Sequence, residues 1–325
     1  MNILIIGGTG LISTEVVALA LKQGHKVTVM NRGSSGKILN PDIEEIVGDI
    51  NDETGAEALL KDRTFDVVVN FVVYTPDQAE RDIRLFRDRC SQYIFISSAS
   101  AYRKPVREWV ITESTPLGNR FWPYSQDKEA CEAVYMKAWR EQGFPVTVVR
   151  PSHTYSQDKM PVAIHGGKGS YAVLKRMQEG KPVLVPGDGS SLWTLTWNVD
   201  FAAAFNGLFG LYEAIGQAYH ITSDEALSWD MIYRTIGEAL GVEPNLRHVS
   251  SDDIVAQDPE QRGPLLGDKS NSAVFDNTKI KRAVPGWTAK VRFHEGARIV
   301  WDYIQKHPEL HEEDPEFDSF TESFL

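Results

Sequence analysis

Met1-Asn2-Ile3-Leu4-Ile5-Ile6-Gly7-Gly8-Thr9-Gly10-Leu11-Ile12-Ser13 runs an apolar strand into a glycine turn, and a helix-forming stretch follows from Glu15 to Lys22. A strand ending in Gly-x-x-Gly lets the backbone pass close beneath a pyrophosphate, whose charge is met by the N-terminal amides of the next helix. Short glycine clusters also make ordinary turns. Here the next apolar run, Lys26-Val27-Thr28-Val29-Met30, arrives where a βαβ unit places its second strand. The turn therefore reads as a nucleotide-cofactor site.

Working outward, strands and helices alternate through the first half. The strands are expected at 2–6, 26–30, 44–47, 66–73, 92–97 and 146–150, with helical patterns at 11–23, 56–61, 77–90 and 124–142. Apolar strands such as Val67-Val68-Val69 and Tyr93-Ile94-Phe95-Ile96, alternating with helices, imply an α/β fold: a Rossmann-type, doubly wound parallel sheet covered on both faces. After Arg150 the rhythm breaks. Residues 151–169 are rich in Ser, Gly and Pro and end in His165-Gly166-Gly167-Lys168-Gly169, a loop of the kind used as a lid. Helices are expected at 171–179, 200–212, 229–240 and 295–306, and strands at 182–186 and 218–222. The division is a dinucleotide-binding domain over 1–150, completed by the strand near 218–222, and a smaller α/β substrate lobe over 151–325. No Pro/Ser-rich linker marks the join, so the lobes should pack closely around a cleft.

The 325 residues are 42% apolar and 24% charged, the composition of an ordinary globule. A net charge of −11 argues against duplex nucleic acid or an anionic membrane as main partner. The last stretch, with Glu309, Glu312, Glu313, Asp314, Glu316, Asp318 and Glu322, reads as a solvated acidic tail. Cys90 and Cys131 share no metal-ligand spacing and read as reduced thiols, and no His/Asp/Glu set has metal spacing. The first apolar run is too short for a signal peptide or a membrane span, so a cytoplasmic protein is expected.

A second informative site is Tyr124-Ser125-Gln126-Asp127-Lys128, early in the long helical pattern. Positions i and i+4 share a helical face, so phenol and ammonium point the same way, and a cation beside a phenol lowers its pKa. The pair follows a strand ending in Ser97-Ser98-Ala99-Ser100-Ala101-Tyr102. Ligands sit at the carboxyl ends of parallel strands, so Ser98, Tyr124 and Lys128 can converge beside a nicotinamide.

Together these pieces resemble the extended, atypical short-chain dehydrogenases/reductases of the NAD-dependent epimerase/dehydratase family. The resemblance spans nearly the whole chain: Gly48-Asp49-Ile50, Asn70-Phe71, Val149-Arg150-Pro151, Pro186-Gly187-Asp188-Gly189, Val199-Asp200-Phe201-Ala202, and Asp276-Asn277-Thr278-Lys279 through Gly286-Trp287. The later pieces are most similar to the branch of chloroplast stem-loop-binding proteins. The resemblance implies that Gly7, Thr9, Gly10, Leu11 and Ile12 hold a pyrophosphate, that Asp49 and Ile50 contact adenine, and that Phe71, Val72 and Pro151 line the cofactor. It also implies that Lys128, beside Tyr124, holds the nicotinamide ribose and that Ser98 is the catalytic serine of a Ser-x-x-x-Tyr pattern.

Departures carry information. Ser13 stands for a third glycine and is small enough for close packing. Asn31-Arg32 ends the second strand without an acidic residue, and an arginine there can pair with a 2′-phosphate or simply lie exposed; the balance leans to NADP over NAD. Ala99 and Ser100 replace the Asp-Glu of sugar-nucleotide dehydratases, which argues against 4,6-dehydration. Trp193 replaces a phosphate-gripping arginine and His153 a common asparagine; with Ser98 and Ser100 they are the candidate substrate contacts. Trp193 and Trp197 also suit packing, and His165 suits a solvated loop. The expected protein is an NAD(P)-dependent epimerase or dehydrogenase acting on a sugar or nucleotide-sugar hydroxyl, with a homodimer as candidate assembly. The alternatives are a cofactor sensor, which has no use for the Tyr124/Lys128 pair, and an RNA-associated protein, which needs a local basic surface.

Overall fold

The computed structural model describes residues 1–34, 36 and 39–325. Its frame is a parallel sheet built from β1 (Asn2–Ile6), β2 (Lys26–Asn31), β3 (Glu44–Val47), β4 (Phe65–Asn70), β5 (Cys90–Ile96) and β6 (Val146–Pro151). Helices α1 (Ser13–Lys22), α2 (Glu53–Leu59), α3 (Pro76–Phe86) and α4 (Pro123–Gln142) connect them. Farther along come β7 (His153–Tyr155), α5 (Tyr171–Gln178), β8 (Val183–Pro186), β9 (Leu192–Trp197), α6 (Asn198–Asn206) and β10 (Ala218–Ile221). Strand β10 returns to pair with β6, giving the order β10-β6-β5-β4-β1-β2-β3. Ile3, Leu4 and Ile5 are fully buried, as a strand covered on both faces requires. Sequential strands add outward in both directions from β1, with Ile6 opposite Met30 on one side and Asn70 on the other. That reversal opens a crevice at the carboxyl ends of β1 and β4, where ligands bind in open α/β sheets.

The remaining chain forms β11 (Ala226–Ser228), α7 (Trp229–Leu240), β12 (Leu246–Val249), α8 (Ser251–Gln257), α9 (Arg262–Pro264) running into a π-helical turn (Leu265–Lys269), α10 (Thr278–Ala283), α11 (Phe293–Lys306) and α12 (Pro315–Glu322). Two small sheets, β11-β9-β7 and β12-β8, pack with these helices over their own apolar core. No helix among the described residues is long and apolar enough to cross a membrane.

Three expectations change. Residues 151–169 are not an open loop: β7 pairs with β9, and Met160, Val162, Ala163 and Ile164 are buried in the core, which leaves Gly167 and Lys168 exposed. Strand β4 stops at Asn70 instead of residue 73, because Asn70 Oδ1 accepts the Val72 N–H at 2.8 Å and turns the chain outward. The acidic tail is docked, not solvated. Asp314 caps α12 at the Phe317 N–H (3.1 Å), Phe317 is buried, and the Arg176 guanidinium, 2% exposed, meets Asp318 at 3.1 Å and Glu322 at 2.7 Å. An arginine buried that deeply needs anionic partners, and the tail supplies them.

Beneath the crevice lies a buried carboxylate, Asp82 of α3. It accepts from Arg81 at 2.9 and 2.7 Å, from Asn70 Nδ2 at 2.7 Å and from Tyr135 at 3.3 Å, and it also accepts from the Tyr93 hydroxyl. Burial pushes its carboxyl above the usual range, and Arg81 pulls it back. Replacing Asp82 by Ala leaves Arg81 buried and unpaired, so a loss of about 3–5 kcal/mol is expected, read as a shift in urea midpoint at constant slope. A loss under about 1 kcal/mol would rule out this carboxylate as a structural keystone.

Candidate active site

The glycine turn is held by its own side chains. Ser13 Oγ donates to Gly7 O at 2.6 Å and accepts the Gly10 N–H at 2.8 Å, and Asn31 Oδ1 accepts the Gly8 N–H at 3.1 Å. Gly7 has φ +78°, and a Cβ there would sit 2.8 Å from Val72 Cγ1. A cavity of about 380 Å³ opens over this turn, lined by Gly7, Thr9, Gly10, Asn31, Arg32, Asp49, Ile50 and Val72, all read from the sequence. Asn51, Tyr74 and Gln78 also line it. Gln78 Nε2 donates to Asn51 at 3.2 Å, and Arg81, held by Asp82, donates to the same oxygen at 2.7 Å. Asn31 Nδ2 is buried without a partner, a donor in the cavity wall that awaits an acceptor.

Leu11, Ile12 and Phe71 lie near this cavity without lining it. Leu11 O accepts from Asn198 Nδ2 at 3.2 Å, Ile12 leads into α1 and packs on the core, and Phe71 packs on Phe205 with ring centres 5.9 Å apart.

A second cavity, of about 320 Å³, gathers Ser98, Ser100, Tyr124, Pro151, His153 and Trp193 from the sequence-derived set. Pro151, expected beside the cofactor, therefore faces this cavity. Lys104, Trp122, Asp268, Lys269 and Phe275 line it as well, and none of them sits in a recognisable motif. Asn119, fully buried, donates through Nδ2 to Ser100 O at 2.7 Å and Gly267 O at 2.6 Å, which clamps the π-helical turn against the serines. A Cβ on Gly263 would come within 2.3 Å of Trp122, so a glycine lets the two segments approach. The clamp brings Asp268 and Lys269 into the cavity. Asp268 pairs with the buried Lys104 at 3.6 Å, and Lys269 Nζ donates to Ala163 O at 2.6 Å. Burial pushes the Lys269 ammonium down to about 8.

Lys128 lies between the two cavities, its ammonium 4.8 Å from the ring centre of Tyr74 in the first and 5.7 Å from that of Tyr124 in the second. This buried ammonium donates to Val73 O at 2.6 Å and Ile96 O at 2.8 Å. Val73 lies between Val72 and Tyr74 of the first cavity, while Tyr124, one turn back on α4, lines the second. Tyr124 does not behave as the sequence suggests. Burial pushes its phenol up to about 12, and a hydrogen bond with Ser98 only partly offsets this. Lys128 is itself pushed down to about 8 by burial, its ammonium turned onto the two carbonyls. Near neutral pH the phenol is a proton donor. Behind it runs a chain of hydroxyls: Ser125 donates to Ser100 at 2.7 Å, and the Ser100 and Ser98 oxygens lie 2.8 Å apart. His153 Nδ1 accepts from Trp193 Nε1 at 3.1 Å, which leaves the imidazole proton on Nε2. Burial keeps that ring neutral, its pKa pushed down to about 3.

A profile of the NAD dependent epimerase/dehydratase family matches residues 3–221. The chain belongs to this family. Among its relatives is a UDP-glucose 4-epimerase of Lactobacillus helveticus, 28% identical, the match covering 96% of this chain and all of that protein. A 2'-dehydrokanamycin reductase of Streptomyces kanamyceticus is 24% identical over 88% of this chain and 80% of its own. The chloroplast stem-loop binding protein of 41 kDa b of Arabidopsis thaliana is 25% identical over 76% and 65%. The solved UDP-glucose 4-epimerase of Thermotoga maritima superposes with TM-score 0.74 at 22% identity, covering 94% of this chain and 99% of that one; the fold is shared. The family's nicotinamide dinucleotide fits the glycine cradle, with its close backbone approach and its orphaned Asn31 donor. Gly10→Val meets only Ser13 Oγ, at 3.3 Å, so the variant should fold. It should nevertheless lose measurable NAD and NADP affinity in calorimetric titration; unchanged affinity would remove the cradle from the site.

Proposed function

We propose that the protein is an NAD(P)-dependent oxidoreductase that interconverts a secondary hydroxyl and a ketone on a sugar, as an epimerase or a dehydrogenase. The observation that carries this reading is the position of the buried Lys128 ammonium between the two cavities, 4.8 Å from the ring centre of Tyr74, which lines the glycine-walled cavity, and 5.7 Å from that of Tyr124, which lines the other. A nicotinamide dinucleotide, when bound, supplies the hydride acceptor or donor. Gly7, Thr9 and Gly10 would carry its pyrophosphate, with Asp49 and Ile50 at the adenine. Lys128 has two of its three N–H groups on backbone carbonyls and keeps the third for a ribose hydroxyl.

The catalytic roles follow from protonation. Tyr124, neutral near pH 7, gives its proton to the ketone oxygen on reduction and takes it back on oxidation. Ser98 holds that oxygen in place, and the Ser125–Ser100 pair feeds the Ser98 oxygen from behind so that its own proton points at the substrate. His153 offers its Nε2 proton, and the Trp193 ring offers a flat face. Relatives named as a UDP-glucose 4-epimerase and a 2'-dehydrokanamycin reductase support a sugar-like substrate.

Tyr124→Phe keeps the ring and removes the proton donor. Dinucleotide affinity should persist while turnover falls by about 10²–10⁴-fold, measured on a substrate found by screening sugars for nicotinamide absorbance changes. Full activity in this variant would refute the mechanism and favour a sensing role. For the cofactor, we infer a preference for NADP: exposed Arg32 and the free Asn31 amide face the first cavity where no carboxylate follows β2. A charge-assisted contact of about 1.5–3 kcal/mol predicts NADP binding roughly ten- to hundred-fold tighter than NAD, with Arg32→Ala erasing most of the difference. Equal affinities in the parent protein would dispose of the preference.

A further inference from the structure

The chain carries a net charge of −11, yet the 320 Å³ cavity is charged the other way. Lys104 and Lys269 line it against a single carboxylate, Asp268, and that carboxylate is paired with Lys104 at 3.6 Å. Lys269 has no carboxylate within salt-bridge distance among the described residues; its ammonium rests on the Ala163 carbonyl alone. Exposed Lys159 adds to the field, and Lys269 and Lys159, after burial, disfavour a proton on His153. The other walls are Trp122, Trp193, Ala273 and Phe275, which offer no compensating charge. An ammonium held among such groups is stabilised by an anion that enters with the ligand. The volume, about 320 Å³, lies at the low end for small-molecule pockets, room for a monosaccharide and one small substituent. A nucleoside diphosphate would have to lie outside it.

We infer that the substrate is a monosaccharide-sized polyol that carries its own anionic group, a carboxylate or a phosphate monoester, seated on Lys269 while one of its hydroxyls reaches Tyr124 and Ser98. This rests on the oxidoreductase reading above. Trp193 spends its N–H on His153, so it meets the sugar with its ring face, and His153 Nε2 adds a neutral donor. Asp268 opposes the anion and, through Lys104, takes one of the two lining ammoniums out of play.

The test is a calorimetric titration of the protein, saturated with NAD, with glucuronate, glucose 6-phosphate, glucose and UDP-glucose. At least one of the two anionic sugars should bind roughly ten- to hundred-fold tighter than glucose, as a charge-assisted contact predicts. The preference should weaken with added salt. Which of the two binds tighter distinguishes a carboxylate substrate from a phosphate one. Lys269→Gln should abolish the preference while keeping NAD affinity, which reports an intact fold. Asp268→Asn should shift affinity the opposite way, tightening the anionic sugar and leaving glucose unchanged; it decides the matter if Lys269→Gln does not fold. Equal binding of glucose and both anions, no binding of either anion, tightest binding by UDP-glucose, or indifference to both substitutions would each overturn the inference. Repeating the titration in Tyr124→Phe, which binds without turnover, separates the heat of binding from that of reaction, and absence of an anion preference with Tyr124-dependent activity intact in the parent rejects this inference alone.

Discussion

A carboxylate with no exposed surface sits where four elements meet, and both ligand cavities depend on it. Asp82 cannot be left unpaired in that environment, so Arg81, Asn70, Tyr93 and Tyr135 are drawn to it from α3, β4, β5 and α4. Three of these partners have a second task. Asn70 turns the chain after β4 so that Val72 faces the glycine cradle, and Arg81 reaches past Asp82 to fix Asn51 in the cavity wall. Tyr135 anchors α4, the helix that carries Tyr124 and Lys128. Sheet, glycine-cavity wall and helix α4 are thereby tied through one buried charge, and a shift of any one is felt by the others.

The same economy governs Lys128. An ammonium buried between strand ends must find acceptors, and the carbonyls of Val73 and Ile96 are the ones that parallel strands leave there. Those bonds keep the carboxyl ends of β4 and β5 in register with α4, and they leave one N–H for a ligand. The ammonium lies 5.7 Å from the Tyr124 ring centre, yet burial dominates the phenol and raises it to about 12. Spacing on a helix correctly placed the two side chains on one face. It could not reveal the orientation of the ammonium, which is set by carbonyls 55 and 32 residues away in sequence.

Legibility in the sequence followed the range of the interactions. The alternating strands, the glycine turn and the Gly48-Asp49-Ile50 corner are local patterns, and the cavity over Gly7 is lined largely as they predict. The second cavity was legible where residues follow a strand's carboxyl end, as Ser98, Ser100 and His153 do, and where a motif or a departure from one marks the position, as at Tyr124 and Trp193. Lys104, Asp268 and Lys269 enter because buried Asn119 clamps Gly267 to Ser100, a contact across 148 residues for the Gly267 half. The docked tail was misread for a related reason. Its acidic count hid Phe317, Phe320 and Phe324, which fall at helical spacing and pack on the core, and the buried Arg176 that its carboxylates neutralise is far off in sequence.

That last point bears on the chemistry. Ala99 and Ser100 after Ser98, in place of an Asp-Glu pair, argue against acid-assisted loss of a hydroxyl only if no other segment brings a carboxyl group to the cavity. The π-helical turn brings Asp268 there, close enough to oppose the charge on Tyr124, and burial raises its carboxyl above the usual range. Lys104 then determines what that group can do. The Lys104 ammonium at 3.6 Å pulls Asp268 toward its charged form against the burial that raises it, and loss of Lys104 would favour the protonated acid further. The acid available in the second cavity is thus set by a lysine–aspartate contact at least as much as by the residues next to Ser98.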